Sequence, residues 1–396
     1  MSMKLRVLLS SIALVMLATI ALVGCGHYVC GTTFGSSTCT PSGPGLGSGG
    51  NITQSALLYF MQDSSGEMAA EGLNLAGSQQ FVTVPNFATP LLPDLTTDYG
   101  LVTVGEKFLY MPLANNTLYG FSIDTTTGAL TPVSATQTTV PGPSSIAADP
   151  KGAVLFVGCS AGISTFTVNS DGTLVLIGSY STGGIAPSQI TTDGLGRYVY
   201  ALSGSSIYAF SYTSGGALTA LGSPISSQGM AQIAGEASGT YIVGITAEDG
   251  AGGGSIDKTI YVFGIGGTGS LSAATLTVTQ GSPVYLAVSP NGKFVYTFND
   301  VFTSPTTTQP EPMEGYTFSS STPGSLTSLG TSPFTNFTMT IGKFDQSGQY
   351  LFTQGSVSGA GGSWVLGADT TGGGLTSTIP HLGATSTSFA VTDVPQ

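Results

Sequence analysis

Residues 198–218 read YVYALSGSSIYAFSYTSGGAL, and the pattern of this stretch recurs along the chain. A short strand ends on an aromatic or apolar residue, a Tyr-x-Phe-like strand follows, and a Gly-x-Leu hairpin closes the unit. The closing leucines of six such units are spaced 44, 44, 53, 55 and 49 residues apart, at Leu130, Leu174, Leu218, Leu271, Leu326 and Leu375. Strand-only repeats of this length are typical of β-propeller blades.

A seventh unit is divided between the two ends of the chain. Near the start, Ala56–Met61, Met68–Leu75 and Gln80–Val84 supply three strands. At the end, Ser386–Asp393 (STSFAVTD) matches the strands that open the other units, such as SSIAADP from Ser144. Pairing the two ends leaves no free sheet edge at the seam. The sequence therefore predicts an all-β, seven-bladed propeller whose ring is closed by its N- and C-terminal strands.

The N-terminal region divides into an export signal and a tether. Lys4 and Arg6 precede an apolar run from Val7 to about Val23, which is the pattern of a secretory signal peptide over residues 1–24. Residues 25–54 are rich in Gly, Ser, Thr and Pro, without periodicity. They predict a flexible tether with a reach on the order of 28 Å. The propeller is predicted over residues 55–396.

The motif Leu22-Val23-Gly24-Cys25 at the end of the apolar run resembles the lipobox of bacterial lipoproteins. The resemblance implies cleavage before Cys25, acylation of its thiol and new amino group, and anchoring to the cell envelope on the periplasmic or cell-surface side. Stable anchoring needs more than one acyl chain. Cys30 and Cys39 are close enough in sequence to pair in an oxidising compartment, and Cys159 is expected to be a small buried residue.

The charge of the chain argues against one class of partner. Charged residues make up 7 % of the sequence, against about 25 % in an average soluble protein, so the surface is neutral and rich in hydroxyls. Removing the signal removes two basic residues and no acid, which takes the formal net charge from −12 to −14. Such a surface repels phosphate backbones, so we expect no nucleic-acid partner.

We expect a monomer bound to the membrane through Cys25.

Five turns between the first and second strands of a unit begin with an acid or serine and place glycine three residues later. They are DPKG from Asp149, DGLG from Asp193, EASG from Glu236, SPNG from Ser289 and DQSG from Asp345. A column of carboxylates invites a catalytic interpretation. The pattern is also that of a type I turn, and the same turn needs the same residue in every blade. The sequence therefore favours a structural role.

Two connections between second and third strands are enlarged, Thr246–Lys258 and Asn299–Gly315, and they belong to neighbouring units. They carry six carboxylates, Glu248, Asp249, Asp257, Asp300, Glu311 and Glu314. Long loops on a rigid scaffold often bind ligands, and carboxylate oxygens suit calcium. We predict a ligand-binding rim at these six residues, for a protein, glycan or small molecule. No cofactor is predicted, although the clustered carboxylates could hold calcium. The alternative is that the carboxylates only solvate the loops.

The phrases GALTPV from Gly128, GALTALGSP from Gly216 and SLTSLGTSPF from Ser325 are similar to the seven-bladed propeller lactonases, and the likeness covers nearly the whole mature chain. The resemblance implies the propeller fold and the opening of 6-phosphogluconolactone. That reaction needs cations for the phosphate, a general base and an oxyanion donor. Four of the six basic residues of the mature chain, Lys107, Lys151, Arg197 and Lys293, are instead predicted in or beside turns on the rim away from the usual ligand side.

Two functions follow from these observations. The favoured one is a non-enzymatic scaffold, anchored by lipid, that binds its partner through the rim with the long loops. The alternative is a lactonase-family hydrolase acting on an uncharged sugar lactone with Asp or Tyr side chains in the channel mouth. We predict no catalytic residue by number, no metal ligand, and no hydrolysis of 6-phosphogluconolactone.

Overall fold

A computed structural model of the chain describes residues 56–61, 68–74, 80–83, 100–133, 138–246, 258–299, 301–304, 307–310, 313–330, 334, 337–357, 360–382 and 389–393. The named elements in these ranges are β-strands, which form seven antiparallel sheets of four or five strands and one two-stranded hairpin. The fold is the predicted seven-bladed β-propeller. No helix in the described part of the chain is long and apolar enough to cross a bilayer.

Blade 1 combines both ends of the chain. Its strands are β1 (Ala56–Met61), β2 (Met68–Asn74), β3 (Gln80–Thr83) and β32 (Phe389–Asp393), in the order β3-β2-β1-β32. β32 runs antiparallel to β1, with Val391 opposite Leu58. The predicted closure of the ring by the C-terminal strand is therefore confirmed, and the bounds of β1–β3 agree with the sequence prediction to within one residue.

In blades 2 to 4 the strands are arranged in chain order, with the first strand beside the channel and the last on the outside. Blade 2 contains β4 (Val102–Val104), β5 (Phe108–Leu113), β6 (Thr117–Ile123) and β7 (Leu130–Pro132), with β8 (Thr138–Thr139) paired to β6. Blade 3 contains β9 (Ser145–Ala148), β10 (Val154–Cys159), β11 (Gly162–Val168) and β12 (Leu174–Ser181). Blade 4 contains β13 (Gln189–Thr192), β14 (Tyr198–Ser203), β15 (Ser206–Tyr212) and β16 (Leu218–Ala220), with β17 (Ile225–Ser226) paired to β15.

Blades 5 to 7 complete the ring. Blade 5 contains β18 (Met230–Gly235), β19 (Tyr241–Thr246), β20 (Thr259–Gly264) and β21 (Thr275–Val278). Blade 6 contains β22 (Pro283–Val288), β23 (Phe294–Asn299), β26 (Glu314–Phe318) and β27 (Leu326–Ser328), and the hairpin of β24 (Val301–Ser304) and β25 (Thr307–Pro310) lies between β23 and β26. Blade 7 contains β28 (Phe337–Phe344), β29 (Tyr350–Val357), β30 (Ala360–Ala368) and β31 (Leu375–Leu382).

The hydrophobic core lies between blades. Alternate residues of a strand face opposite sides of its sheet, and each blade has a neighbour on both sides. In β1, Leu57 and Tyr59 pack in a cluster with residues of blade 2, whereas Leu58 packs in a cluster with residues of blade 7. The second strand of a blade is therefore apolar on both faces, and every residue of Val154–Cys159 is buried, including Cys159 as expected.

Two elements differ from the simple repeat. Leu271 makes only an isolated bridge with Ile265, although it packs against the core cluster of blades 4 and 5, and the fourth strand of blade 5 begins at Thr275. In blade 6 the enlarged connection contains the β24–β25 hairpin. β-Branched residues such as Val301 and Thr303 favour this strand conformation.

Candidate functional site

The acids of the turns between first and second strands are buried and bound within their own turns. Each of the five residues that begin these turns is 4 % exposed or less, at Asp149, Asp193, Glu236, Ser289 and Asp345. The Glu236 carboxylate, for example, accepts hydrogen bonds from the backbone amides of Ser238 (2.7 Å), Thr240 (2.5 Å) and Tyr241 (3.1 Å). This geometry supports the structural role favoured by the sequence, because the acceptor sites of the carboxylate are occupied.

Two of the basic residues on the same rim bind from one blade to the next. Lys151 Nζ donates to the carbonyl of Gly196 at 3.0 Å. Arg197 forms a 2.8 Å ion pair with the buried Asp193 and donates to the carbonyl of Gly239 at 2.7 Å. The Asp193 carboxylate raises the pKa of Arg197. These two cations therefore join blades 3, 4 and 5, and their donors are engaged by protein oxygens.

The long-loop rim is described at only one of its six predicted carboxylates. Glu248, Asp249, Asp257, Asp300 and Glu311 lie outside the described residues. Glu314, at the first position of β26, is 4 % exposed. The role of the five others in ligand binding stays a prediction.

Glu314 holds the connection between blades 5 and 6. Its carboxylate accepts hydrogen bonds from the backbone amides of Gln280 (3.1 Å) and Gly281 (2.6 Å) and from Asn299 Nδ2 (3.1 Å). The hydroxyl of Tyr316 donates to its second oxygen. Burial, together with this hydrogen bond to Glu314, raises the pKa of Tyr316. These donors account for Glu314 as a structural residue, and its participation in ligand binding stays a prediction.

Lys258 binds the same connection from the opposite side. Its Nζ donates to the carbonyl of Gln280 at 2.6 Å, while the amide of Gln280 donates to Glu314. One peptide segment is thus fixed by a cation on its carbonyl and a carboxylate on its amide. The connection forms part of the rim that carries the two enlarged loops, so the base of that rim is rigidly held.

Glutamine side chains join the inner strands around part of the channel. Gln189 Oε1 accepts from the amide of Ile233 at 2.5 Å. Gln232 Oε1 accepts from the amide of Leu286 at 2.7 Å, and its Nε2 donates to the carbonyl of the same residue at 3.1 Å. Tyr285, beside Leu286, is mostly enclosed, and burial raises its pKa to about 12 although a hydrogen bond with Gln232 lowers it.

Lys343 brings a cation to the inner wall of the ring, which the sequence analysis did not anticipate. It lies on the inner strand β28 of blade 7, and its Nζ donates to the carbonyl of Leu101 at 3.3 Å. Leu101 immediately precedes the inner strand of blade 2, so the side chain passes β32 on the channel side. The position of Lys343 two residues before the turn acid Asp345 was the available signal, since that spacing places it on an inner strand.

Metal ligation has no support in the described residues, where no group of three or more His, Cys, Asp or Glu is placed to hold an ion. Five of the six carboxylates that could hold calcium lie outside this part of the chain. His27, Cys25, Cys30 and Cys39 also lie outside it.

A family model described as a seven-bladed β-propeller lactonase matches residues 109–239 and 240–384. The chain belongs to this lactonase family. The two matched segments run from blade 2 to blade 7 and divide within blade 5, so they cover most of the propeller. No curated protein matches the chain in sequence.

Solved structures of similar fold come from several bacteria. The periplasmic gluconolactonase of Pseudomonas aeruginosa superposes with a TM-score of 0.62 at 16 % identity, over 87 % of this chain and 100 % of that one. A candidate 6-phosphogluconolactonase of Bacteroides fragilis gives 0.60 at 15 % identity, over 88 % and 100 %. A protein of Lactobacillus plantarum gives 0.62 at 13 % identity, over 86 % and 99 %. At these identities the likeness establishes the fold.

Membership of the lactonase family changes the balance between the two functions. It favours the lactonase-family hydrolase over the non-enzymatic scaffold, and the expectation that the chain is not an enzyme has no support. Lipid anchoring, the envelope location, the monomeric state and the binding partners stay predictions.

Proposed function

We propose that this lactonase-family propeller hydrolyses the ring ester of an uncharged sugar lactone in its central channel. The observation that carries the proposal is the family match over residues 109–239 and 240–384. The names of similar folds, a gluconolactonase and a candidate 6-phosphogluconolactonase, agree with a sugar lactone as the substrate class.

The basic residues favour an uncharged substrate. A phosphate requires several charge-assisted hydrogen bonds from Arg or Lys. Lys151, Arg197 and Lys258 each donate to a backbone carbonyl of a neighbouring turn or connection. Export would leave a chain of net charge −14, whose field opposes a dianion. A neutral lactone needs no cluster of cations for binding, and the negative field of the chain does not repel it.

The proposed step is simple ester hydrolysis. Water adds to the ring carbonyl carbon, the tetrahedral oxyanion collapses with cleavage of the ring C–O bond, and the ring oxygen receives the proton lost by the water. Lys343, on the channel side of β28, is our candidate for the donor that stabilises the oxyanion. An Asp or Tyr side chain at the channel mouth would take the proton from water.

The test is hydrolysis of a lactone panel by the full-length chain in mild detergent, with glucono-1,5-lactone, galactono-1,4-lactone and 6-phosphogluconolactone measured against buffer. We expect turnover of at least one neutral lactone and a loss of about 100- to 1,000-fold in kcat for Lys343→Met, typical of a lost oxyanion donor. Lys293→Met, an exposed turn residue, is the matched control and should keep wild-type kcat. Rates equal to buffer for every lactone would end the lactonase proposal. Turnover of the phosphorylated lactone alone would end its uncharged-substrate part.

The envelope location belongs to the same proposal. Lipid attachment at Cys25 would hold the propeller at a membrane through the tether of residues 25–54. Mass spectrometry of the mature N-terminus should find an acylated cysteine as the first residue. An intact Met1, or cleavage elsewhere without lipid, would contradict the anchored location while leaving the enzymatic part untouched.

A further inference from the structure

Blade 1 carries a carboxylic acid within its packed face. Glu71 lies on β2, directly opposite Leu58 of β1 and two residues before Leu73. Residues opposite each other in an antiparallel pair share a face, and so do residues two apart in one strand. Leu58 and Leu73 both belong to the cluster formed with blade 7. Glu71 therefore faces blade 7.

The surroundings of Glu71 on this face are apolar. The cluster combines Leu58 and Leu73 of blade 1 with Phe352 and Val365 of blade 7, and each of these residues is 6 % exposed or less. No hydrogen bond or ion pair to the Glu71 carboxyl is formed by any residue in the described ranges. Burial raises its pKa from 4.5 to about 7.

Few other ionisable groups belong to the strands around this face. Tyr350 of β29 packs against the cluster, and Lys343 of β28 reaches Leu101. β31 includes His381 and β32 includes Asp393, whose side chains lie outside the described part. Apart from Tyr59 of β1, which lies on the blade 2 side, strands β1, β3 and β30 carry no ionisable side chain.

We propose that Glu71 makes the packing of blade 1 against blade 7 pH-dependent, tight when the carboxyl is protonated and loosened when it ionises. A neutral carboxyl is tolerated in an apolar face, whereas a partly buried carboxylate with no partner among the described residues draws water or separates the surfaces. Blade 1 is the place where such loosening has most effect, because it is assembled from the two ends of the chain and its inner strand β32 is held by pairing with β1.

The direction of the pH effect follows from the two protonation states. The folded state holds the Glu71 proton more strongly than the unfolded chain does. The stabilisation is therefore complete below pH 4.5 and is lost as the pH rises through about 7. The response does not depend on any catalytic activity of the channel.

Thermal unfolding of the full-length chain in detergent from pH 5 to pH 8 tests the proposal. We expect the wild-type Tm to fall over this range, and the Tm of Glu71→Gln to change by less than half as much and to exceed the wild-type value at pH 8. Glu71→Leu provides a second variant without a titrating group and should behave like Glu71→Gln. His381→Asn is the control for the nearby imidazole and should keep the wild-type fall.

Hydrogen exchange shows which strands lose protection when the contact between blades 1 and 7 loosens. After correction for intrinsic exchange rates, peptides from β1, β2, β29 and β30 should lose protection at pH 8 relative to pH 5, while peptides from blades 3 to 5 keep theirs. In Glu71→Gln the difference should vanish. An unchanged pH dependence in Glu71→Gln, its disappearance in His381→Asn, or an equal loss of protection in every blade would overturn the proposal.

Discussion

The phenol of Tyr200 donates a 2.9 Å hydrogen bond to the backbone carbonyl of Gly269, which lies in the last hairpin of the next blade. The same link, which we call the interblade latch, joins Tyr59 to Gly128, Tyr110 to Gly172 and Tyr296 to Gly373 at 2.6–2.9 Å. Each of the four glycines has a φ between +74° and +84°. The tyrosine of one unit thus binds the hairpin glycine of the next unit in these four pairs.

Loss of one buried latch should lower stability. Tyr200→Phe leaves the Gly269 carbonyl without its donor in a buried site, which should cost about 1–3 kcal/mol. Tyr198→Phe is the matched control, because its hydroxyl donates to Gly267 of the same hairpin in an exposed position. We expect the control to change stability by no more than about 0.5 kcal/mol. Chemical denaturation measures both variants, and equal effects would show that the latch adds nothing.

The latch glycines need both their backbone angle and their lack of a side chain. Gly172 has φ +81°, and a Cβ there would lie 2.4 Å from Val133 Cγ1 and 2.5 Å from the Phe108 ring. Gly222 has φ +78° with nothing within 4 Å of a Cβ. Gly222→Ala should cost about 1–2 kcal/mol from backbone strain alone, and Gly172→Ala should cost clearly more. The midpoints of chemical denaturation measure the stability of both variants. A Gly172→Ala protein as stable as Gly222→Ala would contradict the close packing around Gly172.

Removal of the closing strand should destabilise the whole ring. A chain ending at Leu382 lacks β32 and its five pairs with β1, so sheet edges become exposed at the seam. We expect a loss of several °C or more in Tm, together with aggregation on heating. A chain ending at Asp393 keeps β32 and serves as the control. Equal melting temperatures for the two truncated chains would rule out closure by pairing.

Glu314 should stabilise the fold. In Glu314→Gln an amide group replaces an acceptor in contact with the backbone donors of Gln280 and Gly281, which should cost about 1–3 kcal/mol. Asp171→Asn, an exposed hairpin residue, should be nearly neutral. Denaturation compares the two, and hydrogen exchange should show weaker protection at residues 279–283 in the first. If Glu314→Gln is fully stable and only ligand binding suffers, the residue is a ligand contact.

The buried phenols predict unfolding at high pH. Burial raises the pKa of Tyr285 to about 12 and raises the pKa of the four latch tyrosines. Because the folded state favours the neutral phenols, their stabilisation is complete below about pH 10 and is lost as the pH rises further. Tyrosinate absorbance near 295 nm and circular dichroism should change together above pH 10. Full tyrosine ionisation in a protein with native circular dichroism would contradict this.

Much of the fold follows from local patterns. Strand periodicity and turn chemistry depend on residues within a few positions of each other, so β1–β3 were predicted to within one residue and the turn acids were given their structural role correctly. In blade 5 the closing leucine Leu271 does not begin the fourth strand, which starts at Thr275, so the repeated motif located the unit without giving the bounds of that strand. The candidate site was predicted less well, since five of its six carboxylates lie outside the described residues and Glu314 is surrounded by backbone donors.

The number of blades, the closure of the ring and the kinship with lactonases could be predicted from the sequence, because each depends on a motif that recurs along the chain. The environments of Lys343, Glu314 and Glu71 depend on contacts between blades and became visible only in the folded protein. The partner of Lys343, the carbonyl of Leu101, lies 242 residues away in sequence, and only the closure of the ring brings the two together. Glu71 is an ordinary acid in its own strand, and only the packing of blade 7 against that strand partly buries it.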